Sequence, residues 1–304
     1  MRIIPSKEVD RERWDACIAA DPRGLIYSYC WFLDGIIGEW EGVVVNDYEA
    51  VMALPRKKKW GIEFVGMPPF VQRLGLSGRY DDEVVNMAGE MVKERFKLIE
   101  YTAAEALLFG EAKKKRKTNF VMPMVETYDE ISDRYTSACK KNISKAQKRG
   151  CELTDEVEVK DVVKFYRDIY GGLSAYTDKH FEALEQLLES AAARKPCHVA
   201  GVRNRESKEL VYAGLLLDDG RRVYYVLGAP NKEGREMRAT YFFIDEMIRK
   251  FCGSRKIFDF EGSDIPDVAS FYQSFSPETE YYYQFYINRY SNPLKKLIDL
   301  KMAP

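Results

Sequence analysis

The chain is poor in the groups that most often announce an active site. It has two histidines, His180 and His198, and nothing pairs them as a catalytic dyad. Its six cysteines, Cys17, Cys30, Cys139, Cys151, Cys197 and Cys252, form no Cys-x-x-Cys pair and no Cys/His cluster with zinc spacing. A zinc site is therefore not expected, and scattered reduced thiols, mostly buried, are. No nucleophile elbow and no phosphate loop occur. Charge of one sign is also lacking: 47 Lys and Arg face 48 Asp and Glu, for a net charge of −1. No global field then selects nucleic acid or membrane, and any such partner must be met by a local patch. No apolar stretch approaches the ~20 residues of a membrane span. The segment Met1-Arg2-Ile3-Ile4-Pro5-Ser6-Lys7 has no signal-peptide-like apolar run, so a cytoplasmic location is expected.

What is present supports packed cores. Hydrophobic residues make up 46% of 304 residues, and that length suits two domains of ~150 residues better than one. In the first half, residues 8–20 read as a helix with Trp14, Cys17 and Ile18 on one side. Residues 42–45 and 50–54 read as a hairpin turned at Asn46-Asp47. Residues 62–65 form a short strand closed by Pro68-Pro69, residues 81–95 a helix, and residues 98–101 and 120–125 strands. Residues 128–149 read as one long helix stopped by Gly150.

The second half runs helix 157–170, helix 180–192, strand 198–202 and strand 210–217. Then comes a strand over 223–227, broken at Gly228-Ala229-Pro230-Asn231. Residues 238–251 repeat apolar side chains at helical spacing (Tyr241, Ile244, Met247, Ile248, Phe251), and Gly253 stops them. In the strand 256–261, alternation places Ile257, Asp259 and Glu261 on one face and Phe258 and Phe260 on the other. The strands around Gly228 and Asp259 should be parallel neighbours joined by the helix between them.

Several segments resemble the tandem acetyltransferase-like family that includes the Fem-type aminoacyltransferases of peptidoglycan synthesis. They are Tyr225-Val226-Leu227-Gly228-Ala229, the run Phe258-Asp259-Phe260-Glu261-Gly262-Ser263, and Phe271-Tyr272-Gln273-Ser274-Phe275-Ser276. With them, in the same order as in the family, stand Leu25-Ile26-Tyr27-Ser28, Met52-Ala53-Leu54-Pro55, Pro68-Pro69-Phe70 and the basic run Lys140-Lys141-Asn142-Ile143-Ser144-Lys145-Ala146-Gln147-Lys148-Arg149-Gly150. The resemblance covers most of the chain. It implies an α/β (α+β) protein of two tandem acetyltransferase-like domains, residues 1–150 and 151–287, with a tail 288–304 that returns to the first domain. Two positions depart from the family. Tyr272 stands where the family has a lysine associated with acceptor phosphates, and Ser276 where it has a glycine. Of the coenzyme A pyrophosphate loop of ordinary acetyltransferases, Gly234-Arg235 alone has a counterpart.

The expected activity is transfer of an acyl or aminoacyl group to an amine, without an enzyme-linked intermediate. The rivals are a coenzyme A-dependent N-acetyltransferase and a non-catalytic binding protein on the same fold. Such chemistry needs a carbonyl held by backbone N–H donors and somewhere for the amine's proton to go. Leu227, Gly228 and Ala229 are the candidates for the first, and the carboxylates of Asp259 and Glu261 for the second. No tightly bound cofactor is expected; acyl-coenzyme A or aminoacyl-tRNA would serve as donor. If acyl-coenzyme A binds, its pantetheine would lie against residues 227–229 and its phosphates near residues 232–238, with Gly234, Arg235 and Arg238 as contacts. Lys141 and Lys145 share a helix face that would suit tRNA or a phosphorylated acceptor, and Tyr272 would adjoin the acceptor. A small-molecule or peptide amine is the expected acceptor.

Overall fold

A computed structural model describes residues 1–110, 112–172, 176–194, 197–262 and 264–302. The chain forms two compact units. The first is Met1–Lys117 together with the chain from Tyr281 onward, and the second is Thr118–Glu280.

The first unit begins with β1 (Arg2–Pro5), α1 (Arg11–Ala20), α2 (Cys30–Ile36), β2 (Trp40–Val45), β3 (Ala50–Lys59), β4 (Ile62–Gly66) and β5 (Leu76–Gly78). It continues with α3 (Asp82–Arg95) and β6 (Leu98–Ala103). The first helix starts at Arg11 rather than residue 8 because the Asp10 carboxylate caps it, accepting from the Arg13 N–H at 3.2 Å. Asp81 caps α3 in the same way, with Lys93 and Arg95 in its last turn opposing the helix dipole. Strands β1, β2, β3 and β4 pair in sequence, all antiparallel, and β6 then joins β4 in parallel, Val65 beside Ile99.

Strand β7 (Lys114–Pro123) carries the chain into the second unit. There follow α4 (Tyr128–Asp133), α5 (Ser137–Lys148), β8 (Cys151–Thr154), α6 (Val159–Tyr170), α7 (Asp178–Arg194), β9 (Cys197–Asn204) and β10 (Leu210–Asp218). The unit continues with β11 (Arg222–Pro230), α8 (Lys232–Met237), α9 (Ala239–Phe251), β12 (Ile257–Asp259) and α10 (Pro266–Gln273). Strand β13 (Glu278–Asn288) leads back to the first unit, where α11 (Leu294–Met302) follows. Strands β8, β9, β10 and β11 pair antiparallel in sequence, and β12 joins β11 in parallel, Arg222 beside Ile257 and Tyr224 beside Asp259. The strands around Gly228 and Asp259 are thus parallel neighbours across a helix, as expected.

Apart from β5 in the first unit and the short α8 in the second, both units share one plan: strand, two helices, three antiparallel strands, a helix, and a strand parallel to the third. The sixth strand is exchanged, since β13 completes the first sheet on β6 and β7 completes the second on β12. These are two acetyltransferase-like domains in tandem. The repeat is visible in topology, although the two halves share no residue-by-residue pattern.

The segment 128–149 is two helices rather than one. Thr136 accepts from the Cys139 N–H at 3.2 Å and so starts a second helix. Helix α5 packs within the second unit: Cys139, Ile143 and Ala146 bury in one cluster with Phe242, Phe243, Met247 and Ile248 of α9 and with Tyr212, Tyr225 and Phe258 of the sheet. Each such large apolar side chain stabilises the unit by about 1.5–3 kcal/mol. In the first unit, Ile298 of α11 buries against Phe64 and Leu98, and the Asp299 carboxylate accepts from Tyr286 and Asn288 at 2.9 and 2.7 Å. Among the described residues no helix is long and apolar enough to cross a membrane.

Candidate functional site

The site grows from an unequal pairing. Strand β11 keeps its antiparallel partner β10 to the end, Tyr212 standing opposite Pro230. It does not break at Gly228, as the glycine and proline suggested, because a proline at the last strand position gives up no ladder bond that a partner needs. On its other edge β12 accompanies it only from Arg222 to Tyr224. Beyond Tyr224, among the described residues, no strand lies along that edge. A bulge at Val226 adds a turn to the same stretch, since Leu227 pairs with Leu215 and Tyr225 with Leu216. Val226 and Gly228 are half-buried there, while Leu227 and Ala229 are buried. Backbone groups on a parted edge are what an acyl carbonyl requires as partners.

Gly228 has a definite steric reason. A Cβ on it would lie 1.9 Å from the Tyr225 Oη and 2.0 Å from the Tyr212 Oη. These hydroxyls hydrogen-bond to each other beneath the strand, on buried rings. Burial pushes both phenols well up and keeps them neutral. Tyr166 and Tyr170 of α6, which packs on β11, and Tyr272 of α10 lie within electrostatic range of Tyr225. Tyr272 is half-buried, its ring 5.3 Å from Phe260 and edge-on to Tyr225 at 6.5 Å. The place of the family's lysine is therefore taken by a neutral phenol turned toward the core. Burial pushes the Tyr166 phenol up to about 12. Tyr166, Tyr170 and Tyr212 were not among the sequence candidates; the i, i+4 spacing of Tyr166 and Tyr170 was the available signal.

The two carboxylates part company. Asp259 is 1% exposed and closed in by the Arg222 guanidinium at 2.5 Å, Asn119 Nδ2 at 3.0 Å and the Glu261 N–H at 2.8 Å. Arg222 also donates to Glu280 at 3.0 Å. Burial works against the Arg222 charge, but Asp259 and Glu280 hold its pKa well up. The alternation that would put Glu261 on this face does not extend to it. The strand ends at Asp259, and Glu261 takes a left-handed φ of 64°. Glu261 is half-buried, and its charge is felt by Tyr272, on the side of the tyrosines. A left-handed glutamate costs about 1–3 kcal/mol and is the kind of strain that clusters at functional positions. Ser263, the last residue of that motif, lies outside the described residues.

A second feature lies at the start of α9. An open groove is lined by Lys145 of α5 and Arg149 at its C-cap, Asn204 of β9, Glu233, Glu236 and Met237 of α8, and Arg238. Arg238 sits at the α8–α9 junction with φ 67° and ψ 32°, and its carbonyl accepts from Tyr241 and Phe242. The Arg149 guanidinium donates to the Glu236 carbonyl. Repulsion from Arg149, together with partial burial, Arg238 and Lys141, lowers the Lys145 pKa. Cations read from two separate motifs thus converge, with Lys141 exposed just beyond. Gly234 and Arg235 are not among the residues that line the groove. A Cβ on Gly234 would lie 2.1 Å from the Val211 carbonyl, so this glycine lets α8 approach β10, and its N–H is capped by Asn231 at 2.8 Å. Arg235 is exposed on α8 and does not line the groove. Among the described residues, no group of three or more His, Cys, Asp or Glu could hold a metal ion.

No protein-family model and no curated protein sequence matches the chain. Solved structures do. FemX superposes with a TM-score of 0.68 at 14% identity, covering 98% of this chain and 100% of that one. The C-terminal domain of a putative lysylphosphatidylglycerol synthetase from Agrobacterium fabrum gives 0.56 at 10% identity, over 96% and 95%. A tandem GNAT protein from the clavulanic acid biosynthesis pathway gives 0.52 at 10% identity, over 94% and 97%. At these identities the likeness establishes the fold: this chain has the tandem acetyltransferase-like architecture of the Fem-type proteins.

Proposed function

We propose that the protein transfers an acyl or aminoacyl group from a phosphate-bearing carrier to an amine. The observation that carries this reading is the parted edge of β11 in the same unit as a cationic groove at the start of α9. The donor's carbonyl sits against the backbone of Leu227, Gly228 and Ala229, where N–H groups stabilise the developing oxyanion. Its phosphates lie with Lys145, Arg149 and Arg238, backed by Lys141, and the N-terminal end of α9 adds its dipole. Acyl-coenzyme A and aminoacyl-tRNA share this chemistry.

The acceptor amine enters among Tyr166, Tyr170 and Tyr272, with Glu261 as the group that takes its proton. The amine nitrogen forms the new C–N bond, and the C–S or C–O bond to the carrier breaks. The leaving sulfur or oxygen takes up a proton from solvent or a neighbouring phenol. Asp259 acts one step back, holding Glu261 by its N–H and tying β12 to β11 through Arg222. Tyr272 brings no positive charge, which favours an acceptor without a phosphate at that point.

The test is binding, then turnover. Coenzyme A, acetyl-coenzyme A and an aminoacyl-tRNA are each titrated by calorimetry, with the melting temperature followed in parallel, since a true ligand raises it by mass action. With the donor class known, Glu261→Gln should lower turnover by about 10²–10⁴-fold and leave donor affinity in place. If neither donor class binds, the proposal fails and a non-catalytic binding role on this fold takes its place.

A further inference from the structure

The first unit carries an exposed apolar patch unrelated to the site above. Helix α11 buries one side chain, Ile298, among Phe64 and Leu98, with Ile62, Tyr286 and Tyr290 packed around it. Its outward arc holds Leu294, Leu297 and Leu300, which are 39%, 52% and 83% exposed. Trp60, at the tip of the β3–β4 turn, is 54% exposed and adjoins this helix, for the Lys301 ammonium lies 5.1 Å from its ring centroid. Isolated exposed leucines are ordinary, but three on one helix arc beside an exposed tryptophan form a patch.

The rim of the patch is basic. Lys59 also lies over the Trp60 ring, 4.6 Å from its centroid, Lys97 lies over Tyr290 at 5.7 Å, and Lys58, Lys295 and Lys296 are exposed on the same two elements. Two of the nearby acids are engaged. Asp299 accepts from Tyr286 and Asn288, and Glu63 pairs with Arg56 at 2.8 Å. We propose that this face of α11 and the Trp60 turn dock on an anionic lipid surface, with the leucines and the indole at the headgroup–acyl boundary and the lysines on the headgroups. The chemistry is that of an interfacial helix: apolar side chains on one arc, lysines flanking it, and an indole suited to the interface. A second copy of the chain fits poorly, because a two-fold contact through this patch would set lysines against lysines. Nucleic acid gives the leucines nothing to contact.

The test uses the full chain with vesicles of phosphatidylcholine alone and of phosphatidylcholine with about one third phosphatidylglycerol, read by flotation. The expected result is binding to the anionic vesicles, weakened by salt. Leu297→Ser with Leu300→Ser should lower it by about tenfold, as should Lys296→Glu with Lys301→Glu. All four positions are exposed, so the melting temperature should hold. Trp60 emission, obtained by difference from Trp60→Phe, should shift to the blue on anionic vesicles. No flotation with either vesicle, or equal flotation by the leucine variant, overturns the proposal. So does self-association of the free chain that the leucine variant abolishes.

Discussion

Replacing Gly228 by alanine distinguishes a glycine that ends a strand from one that makes room for the two tyrosine hydroxyls beneath it. The added methyl meets the Tyr225 Oη at 1.9 Å, the Tyr212 Oη at 2.0 Å and the Tyr225 Cζ at 2.6 Å. Both rings are buried, and Tyr212 is packed at 4.6 Å on Phe243, so neither swings aside freely. Overpacking of this kind costs about 1–3 kcal/mol. Separating the two hydroxyls leaves buried polar atoms without partners, for a further ~1–3 kcal/mol. Against this, alanine loses less chain entropy than glycine, a gain of about 0.5–1 kcal/mol. The losses win, and the net is about 2–4 kcal/mol. At about 2–4 °C per kcal/mol for a unit of this size, the melting temperature should fall by roughly 5–15 °C. Tyr225→Phe in the same chain removes the oxygen at 1.9 Å but leaves the ring carbon at 2.6 Å. Recovery in the double variant should therefore be partial, a coupling that a double-mutant cycle measures. A Gly228→Ala protein that melts with the wild type would refute the packing argument. It would also return Gly228 to the role of a simple strand end.

Three further outcomes follow from the same unit. Arg238→Gly, which keeps the left-handed backbone unstrained, and Lys145→Ala should each weaken donor binding by about tenfold or more. Each should also reduce the salt dependence of that binding, read by calorimetry at two ionic strengths. Asp259→Asn should leave Arg222 buried without its nearest counter-charge and cost about 3 kcal/mol of stability, seen as a lower denaturant midpoint. Asp218 accepts from Lys256 at 2.5 Å and from His198 at 3.2 Å; burial alone would raise its pKa, but these partners hold it far below the usual carboxylate range. A depressed folded-state pKa gives stability that is present above about pH 4 and lost as the pH falls further. The gap between wild type and Asp218→Asn in urea melts should thus be clear at pH 7 and close in strong acid.

Local pattern carried the architecture a long way. The apolar spacing of Ile244, Met247, Ile248 and Phe251 gave α9, and a strand on either side of one helix gave the parallel pair of β11 and β12. The pattern failed where a cap competed with it. Thr136 starts a new helix inside an otherwise continuous helical rhythm, and its side chain, three residues before Cys139, was the signal. Asp10 trims the first helix in the same way. The duplication stayed hidden for a different reason. Topology repeats between the units while side chains do not, because many apolar combinations satisfy one packing arrangement.

The site shows what sequence spacing can and cannot fix. The period of two that put Asp259 and Glu261 on one face holds only while the backbone stays extended, and the strand ends at Asp259. From there a left-handed glutamate sends one carboxylate toward the tyrosines, while the other remains with Arg222. One carboxylate then becomes a fixed anchor, nearly sealed from solvent, and the other belongs to a half-buried residue. A general base must reach a proton that it takes, and an aspartate already closed in by Arg222, Asn119 and a backbone N–H is poorly set for that, which is why the base proposed above is Glu261. The convergence of Lys145 with Arg238 is the opposite case. The two stand far apart in the chain, and neither helix alone implies the other. Apolar packing of α5 on α9 sets the relation, which places the C-terminal end of α5 beside the first turn of α9. A cationic groove at that turn is a consequence of core packing, legible only once it is known which two helices share a core.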